Sequence, residues 1–411
     1  MMTLNAPDLW GRTVGKSEAV CLSCCILSAD GSPNPPIVPM RVLSCHSTYG
    51  EGGVGQHFAQ LVEETRTAGD LHGYLAPGLR PNDPAGCQVT VPGWQQALLR
   101  YTPLRYAPAW TNHLLNVGYD RAAAQQLPDL VPPPDAERRF MGVVGHAARS
   151  FKVARTLGFD RLELVAVNSH VDNVRRLHQR AAADSGVNDS WLNDAQVRRT
   201  RREYDMADAI YVHSDYTRDS FLAAGIPAQK LRRTHLHVDP RFVPPDQRPS
   251  EEGIRIVYVG RVDITKGMAV LLDAYEQLDV PRKHLTLVGG WPTRRTRRYL
   301  ERRLANREDV TIAPGDPLPV LHSADVFVHP SYEDGFGYAP MEALACGVPV
   351  IVTEDTGMKE YVREGHNGFV VPTGSSTALV RRLEVLAASP QAATHSLLPE
   401  AMPAGAGERS T

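Results

Sequence analysis

Ser331-Tyr332-Glu333-Asp334-Gly335-Phe336-Gly337-Tyr338-Ala339-Pro340-Met341-Glu342-Ala343 follows a short apolar run at 325–328. A buried strand that ends in a glycine-bearing loop and turns into a helix is the unit of doubly wound parallel sheets. Gly335 and Gly337 allow the backbone to approach a ligand closely. A helix starting near Tyr338 presents free N–H groups and its positive dipole end to that ligand. Glu342 lies about one turn into this helix, where a carboxylate can accept hydrogen bonds from vicinal hydroxyls such as a ribose's. Asp334 stands just before the glycines, within reach of the hydroxyls of a second ring. Taken singly, the two acids would read as a cap and a surface charge. An acid, a glycine loop and a second acid eight positions on, all behind a strand, argue for a site.

Working outward, the same unit repeats. The run 254–259 reads as a strand and 268–278 as an amphipathic helix. Gly260-Arg261-Val262-Asp263-Ile264-Thr265-Lys266-Gly267 joins them. Alone, this loop would read as a solvated basic turn. Beside the 334–342 segment, Arg261 and Lys266 become two cations able to converge on one anion, a planar fork and a point charge suited to a diphosphate. Further strands are expected at 284–288, 309–312, 325–328 and 348–352, with a basic helix at 294–304 and another helix at 339–345.

A polar link at 242–253, with Pro244, Pro245 and Pro249, marks a domain boundary. Before it, strands are expected at 40–45, 140–144, 162–167, 209–213 and 231–235, with helical stretches between them. The first strand leads into Gly50-Glu51-Gly52-Gly53-Val54-Gly55 and a helix expected from Gln56 to about Arg66. The chain is thus read as an α/β protein of two doubly wound Rossmann-like domains facing a central cleft. Their spans are 40–245 and 253–388, with 1–39 a disordered extension and 389–411 a disordered tail.

Composition sets limits. Of 411 residues, 42% are hydrophobic and 22% charged, enough to bury two cores. A net charge of −2 gives no global pull toward nucleic acid. No run of about eighteen apolar residues would span a membrane, and the N-terminus lacks the pattern of a signal peptide. The expected location is the cytoplasm, with weak peripheral contact at the inner membrane face left open by the basic runs 198–202 and 294–303. Solvated helix faces are the simpler account of those runs. Cys21, Cys24 and Cys25 look like half a zinc site, but neither a second Cys pair nor a spaced His pair completes it, so no metal is expected.

At this point the motifs resemble a known family. Residues 330–351 are similar to the P-S-x-x-E-G-F-G…E-A-x-A-C-G-x-P-V-I signature of family 4 of the retaining glycosyltransferases, which have the GT-B fold. Asp334 and Glu342 match its E-x7-E motif, and Arg261 and Lys266 its G-R-x-x-x-x-K-G loop. The stretches 354–357 and 365–371 also resemble the family. The likeness is strong over 254–383 and looser over 40–242.

The resemblance implies a hexosyltransferase-like enzyme of polysaccharide biosynthesis. It would use a nucleotide-diphosphate sugar as donor, need no cofactor, and transfer to a hydroxyl acceptor. It implies that Arg261 and Lys266 hold the donor's diphosphate, that Glu342 binds the ribose and that Asp334 touches the donor sugar. N–H groups around Gly335, Phe336 and Gly337, and near Thr356 and Gly357, would reach sugar hydroxyls or phosphate. Gly52 and Gly53 would close over the phosphates from the first domain. His146 matches a family histidine near the reacting carbon. Asn168-Ser169-His170 falls on the acceptor side, and the stretch from Glu203 to Ser214 reads as structural.

The family retains anomeric configuration without a metal, and the sequence contains no D-x-D triplet. Three departures stand out. Asp334 replaces the family's Glu and is one methylene shorter. Thr311-Ile312-Ala313-Pro314-Gly315 replaces a simpler turn near the nucleobase. The helices that usually cross back onto the first domain are expected to be missing, which would loosen the cleft. A homologue that only binds nucleotide-sugar is therefore an alternative. An oxidoreductase reading rests on the glycines at 50–55, but no acid ends a clear second strand. If residues 1–39 are an extension outside the fold, a chain begun at Met40 folds with an unchanged Tm. Failure of that shortened chain to fold, read by circular dichroism, contradicts this.

Overall fold

Strands buried on both faces must be apolar at successive positions, and the two halves of this chain obey that rule. The computed structural model describes residues 38–388, apart from 94, 96, 98–100, 250, 251, 292, 306 and 313, together with Leu397. The readings of 1–37, of the three clustered cysteines and of the tail beyond 388 (Leu397 aside) lie outside the described residues.

The first sheet comprises β1 (Pro39–Ser44), β2 (Leu71–Ala76), β3 (Gly86–Gln88), β4 (Glu137–Val143), β5 (Arg161–Val165), β6 (Ala209–Val212) and β7 (Leu231–Arg233). Its order is β3-β2-β1-β4-β5-β6-β7, and every pairing is parallel. Around it lie α1 (Gly52–Thr67), α2 (Pro108–Gln126), α3 (Ala148–Thr156), α4 (Val171–Ser185), α5 (Asp194–Met206) and α6 (Asp215–Ala223). Neighbouring residues on one strand feed opposite cores, as the pleat requires. Val42, Leu75, Phe140 and Leu164 enter one, and Leu43, Tyr74, Met141 and Val165 the other.

The second sheet repeats the plan with β8 (Ile254–Val259), β9 (Lys283–Val288), β10 (Val310–Ile312), β11 (Val326–His329), β12 (Val350–Thr353) and β13 (Gly368–Val371). Its order is β10-β9-β8-β11-β12-β13, again all parallel. The helices are α7 (Met268–Gln277), α8 (Arg294–Arg303), α9 (Leu318–Ser323), α10 (Tyr338–Ala345) and α11 (Ser376–Ala388). Ile256, Tyr258 and Val328 point to one face, Val257 and Phe327 to the other. Among the described residues, no helix is long and apolar enough to cross a membrane.

Three strands and one helix boundary depart from the sequence reading. β2 is interrupted by His72 and Gly73, β3 has three residues, and β13 opens on Gly368. None carries enough local apolar signal; pairing with β1, β2 and β12 makes them strands. Helix α1 begins at Gly52 rather than Gln56, so the glycines are its first turn. Gly55 is needed there, because a Cβ would lie 2.2 Å from the Thr48 carbonyl oxygen.

From Pro39 onward the described chain forms one compact unit. Leu177 and Ala181 of α4 bury themselves with Ile264, Ala269, Val270 and Tyr332 of the second domain. The Tyr332 hydroxyl donates to Asp184 at 2.7 Å, and Thr293 donates to Asp189 at 2.7 Å. Helix α11 packs on α7 within its own domain. Among the described residues an apolar seam carried by α4 holds the two domains together. Leu177→Ala is expected to cost about 2–5 kcal/mol in urea denaturation, as a buried Leu truncation does when the site cannot collapse. A change below about 0.5 kcal/mol would show that the seam contributes little.

Candidate functional site

In open parallel sheets, ligands sit beyond the strand C-termini where the order reverses. Here the order reverses between β1 and β4 in one sheet and between β8 and β11 in the other. The loops at these four ends are those holding His46, His146, Arg261 and Asp334. A cavity of about 600 Å³ lies between the domains. Gly52 and Gly53 border it from the first domain, and Arg261, Lys266, Asp334, Phe336, Gly337 and Glu342 from the second.

The basic loop after β8 is shaped by Asp263. Its buried carboxylate accepts from the Thr265 hydroxyl at 2.6 Å and the Lys266 N–H at 2.9 Å, and pairs with Arg261 Nε at 2.7 Å. Burial opposes the charge on Asp263, but Arg261, the Thr265 hydroxyl and Lys266 together outweigh it and hold the carboxyl below its ordinary value. The Tyr258 hydroxyl donates to the Arg261 carbonyl at 2.6 Å. Asp263 and Tyr258 thus tie the loop at four atoms, and Asp263 takes only the Nε of Arg261.

Lys266 Nζ meets Asp334 Oδ2 at 2.7 Å, and His329 Nε2 reaches the same oxygen at 3.1 Å. Burial works against this carboxylate too, yet the ammonium and the imidazole keep it well below the usual carboxylate range. Sequence reasoning missed His329, although its place as the last residue of β11, at the order reversal, marks it. Glu342 differs. Among the described residues no hydrogen bond or ion pair reaches its carboxylate, and it is buried on α10 at the cavity wall. Burial pushes its carboxyl up to about 7, with Arg241 pulling weakly the other way.

Other expected residues lie elsewhere in the interface. Gly335 faces the first domain: a Cβ would sit 2.4 Å from the Val167 carbonyl oxygen. Its own carbonyl accepts from Ser214 at 2.6 Å and Thr217 at 2.9 Å. The Gly357 N–H donates to the Asp334 carbonyl at 3.0 Å, and the Thr356 hydroxyl to the Thr353 carbonyl at 2.9 Å. Gly335, Thr356 and Gly357 do not border the cavity. Nor does His146, which is buried and accepts at Nε2 from the His46 N–H at 3.0 Å. Burial, aided by His46 and Arg199, pushes its imidazole well down, so it is neutral. Its loop hangs on Glu203, whose carboxylate accepts the N–H groups of Gly145, Ala147 and Ala148 at 2.5, 3.0 and 3.1 Å.

Asn168 and Ser169 send N–H groups to Glu333 at 2.8 Å each, and His170 caps α4. Asn168 also borders the cavity, with His178, Trp191 and His213. Among the described residues no group of three or more His, Cys, Asp or Glu side chains comes together as a metal would need. The dinucleotide reading fails at β2, which ends Leu75-Ala76 with no acid to take a ribose.

A carboxyl raised in the folded state binds an extra proton there. The stability this supplies is fully present below about pH 4.5 and lost as pH rises through about 7. Glu342→Gln is therefore expected to leave Tm unchanged at pH 4.5 and to raise stability at pH 8 by on the order of 1–3 kcal/mol. Equal Tm values for the two proteins at pH 8 would contradict the burial argument.

Comparison with known proteins agrees with this geometry. Residues 241–396 match the family described as glycosyl transferases group 1. The chain is 34% identical over 215 residues to the GDP-mannose-dependent alpha-(1-6)-phosphatidylinositol monomannoside mannosyltransferase of Mycolicibacterium smegmatis, covering 47% of this chain and 56% of that one. It is 29% identical over 198 residues to O-antigen chain mannosyltransferase B of Escherichia coli, covering 43% and 50%. The chain spans about half the length of the curated relatives it matches. Its fold resembles sucrose-phosphate synthase from Thermosynechococcus elongatus, with a TM-score of 0.64 at 20% identity over 87% of this chain and 92% of that one. It also resembles Anabaena HepE, solved in complex with UDP, with a TM-score of 0.61 at 16% identity over 88% and 93%. Residues 241–396 thus match the glycosyl transferases group 1 family, in a chain whose two facing parallel α/β domains form the GT-B fold.

Proposed function

We propose that the protein is a retaining, metal-independent glycosyltransferase of the family 4 type, moving a sugar from a nucleotide-diphosphate sugar to a hydroxyl acceptor. One observation carries this reading: Arg261, Lys266 and the unpartnered Glu342 line a single cavity at the order reversal of the second sheet. Two cations meet a diphosphate and a free carboxylate meets ribose hydroxyls, which leaves the sugar directed toward the first domain. The names of the relatives and the UDP held by HepE support the same class of donor.

In this mechanism the acceptor oxygen attacks the anomeric carbon on the face the diphosphate leaves. The new glycosidic bond forms as the carbon–oxygen bond to phosphate breaks, and the acceptor's proton passes to the leaving phosphate oxygen. Arg261 and Lys266 stabilise the charge that develops there, in a site preorganised by Asp263, and such preorganisation supplies most of the rate. Donor binding exchanges the Lys266–Asp334 pair for Lys266–phosphate, which frees Asp334 for a sugar hydroxyl. His146, on the loop that Glu203 anchors, stands outside this cavity and is given no contact with the donor. Gly52 and Gly53 bring the N-terminus of α1 toward the phosphates.

Thermal shifts with UDP, GDP and ADP test the donor site. At 100 times its dissociation constant the right one adds about 2.7 kcal/mol of stability. Lys266→Ala and Glu342→Ala are each expected to weaken it about tenfold or more, the loss of one charge-assisted contact. No shift with any of the three would end the donor assignment. Transfer in the presence of EDTA, with the product anomer read by NMR, separates an active enzyme from a protein that only binds.

A further inference from the structure

Helices α2, α3 and α5 enclose a groove of about 400 Å³ on the first domain, away from the donor cavity. Its walls carry Arg149 and Lys152 from α3, Arg198, Arg199 and Arg202 from α5, and His113 from α2. The spacing is not random. Arg149 and Lys152 are three apart and Arg198 and Arg202 four apart, so each pair shares one helix face. Like charges at that spacing destabilise a helix by a few tenths of a kcal/mol, and here two such faces oppose each other.

Of the carboxylates on α5, Asp194, four residues before Arg198, pairs with Arg175 at 3.0 Å, and Asp205, three residues after Arg202, forms no ion pair among the described residues. Asp120 accepts the N–H groups of Arg149 at 2.6 Å and Ser150 at 2.9 Å and pairs with Arg199, and Glu203 is held by the His146 loop. Arg149, Lys152, Arg198 and Arg202 are exposed, and among the described residues no carboxylate pairs with any of them. Arg201, on the other side of α5, does have a partner, Asp172 at 2.6 Å. The unpaired cations are those that face the groove.

A third space shares wall residues with both the groove and the cavity. Arg198 also lines a cavity of about 580 Å³, with Trp110, Gln179, Asn188, Ser190 and Asn193. His178 in turn borders both that cavity and the donor cavity. Neighbouring spaces thus share a wall residue, His178 between the first two and Arg198 between the last two; the middle one is lined by polar and aromatic groups and by the Arg175–Asp194 pair. We propose that the groove between α3 and α5 binds the phosphate group of an anionic acceptor, whose hydroxyl-bearing part occupies the middle cavity. This rests on the glycosyltransferase reading and adds the acceptor's chemical class. Arginine forks and a lysine suit phosphate oxygens, whether on a soluble phosphate ester or a lipid headgroup.

The test is calorimetric titration of inorganic pyrophosphate at about 150 mM salt, where weak surface attraction is screened. The donor cavity is first saturated with whichever nucleoside diphosphate gives the largest thermal shift. Wild type is expected to show a second, saturable anion site. Arg198→Ala with Arg202→Ala weakens it at least tenfold, and Arg201→Ala on the outer face leaves it unchanged. Glycerol 3-phosphate, and vesicles of phosphatidylcholine with and without phosphatidylinositol, identify the source. Soluble binding alone marks a phosphate ester, and retention on the anionic vesicles alone marks a lipid headgroup. Pyrophosphate binding that is absent, or the same in wild type and the double variant, overturns the inference while leaving the donor site standing. Because the double variant keeps Arg261 and Lys266, its nucleoside-diphosphate shift must survive. Anion binding at the groove in a protein that takes no nucleoside diphosphate overturns the acceptor assignment together with the proposed function.

Discussion

Two adjacent carboxylates, Glu333 and Asp334, tie the interdomain cavity to the rest of the molecule. Glu333 points into the first domain, where Asn168 and Ser169 donate to it. Asp334 points the other way and holds Lys266. Burial pushes the Glu333 carboxyl up, since the charge of Asp334 adds to the lost hydration, and the N–H groups from the first domain compensate. A buried carboxylate without such donors would be costly, so the pair makes the domain seam and the site a single electrostatic unit. Opening the domains would leave Glu333 unsatisfied in one of them and weaken the fixed setting of Lys266 in the other.

The same economy runs through the cavity. Its cations are held by the protein's own acids: Arg261 by Asp263, and Lys266 by Asp334. These contacts fix the positions of the charges at short range while leaving other donor atoms for a ligand. Glu342 is the opposite case, a buried acid with no partner and a carboxyl pushed up to about 7. A perturbed group in a cleft, explained by burial and lacking a structural partner, is the usual mark of a binding residue. Stability is given up at Glu342 and recovered at the apolar seam of Leu177, Ala181 and Tyr332.

The first domain positions its groups differently. Glu203, read from the sequence as structural, accepts three N–H groups of the loop that carries His146. Asp120 does the same for the first turn of α3, and Arg199 joins the two acids. With these groups satisfied internally, the remaining cations of α3 and α5 are left facing the groove.

Much of the architecture was legible in the sequence because strand, glycine loop and helix are local patterns. The runs 254–259 and 339–345 reappear almost unchanged as β8 and α10. Arg261, Lys266, Asp334 and Glu342 could be read as one set because they lie on the loop after β8 and on the loop and helix after β11, and parallel sheets gather those strand ends. Tertiary packing decided the rest. Gly335 looks like a ligand-facing glycine in the sequence, yet the backbone it admits is that of Val167. β2 and β13 become strands through their neighbours, since their own residues carry too little apolar signal. Which acid pairs with Lys266 and which stays free depends on distances of a few ångströms between loops dozens of residues apart, and only the folded arrangement sets those distances.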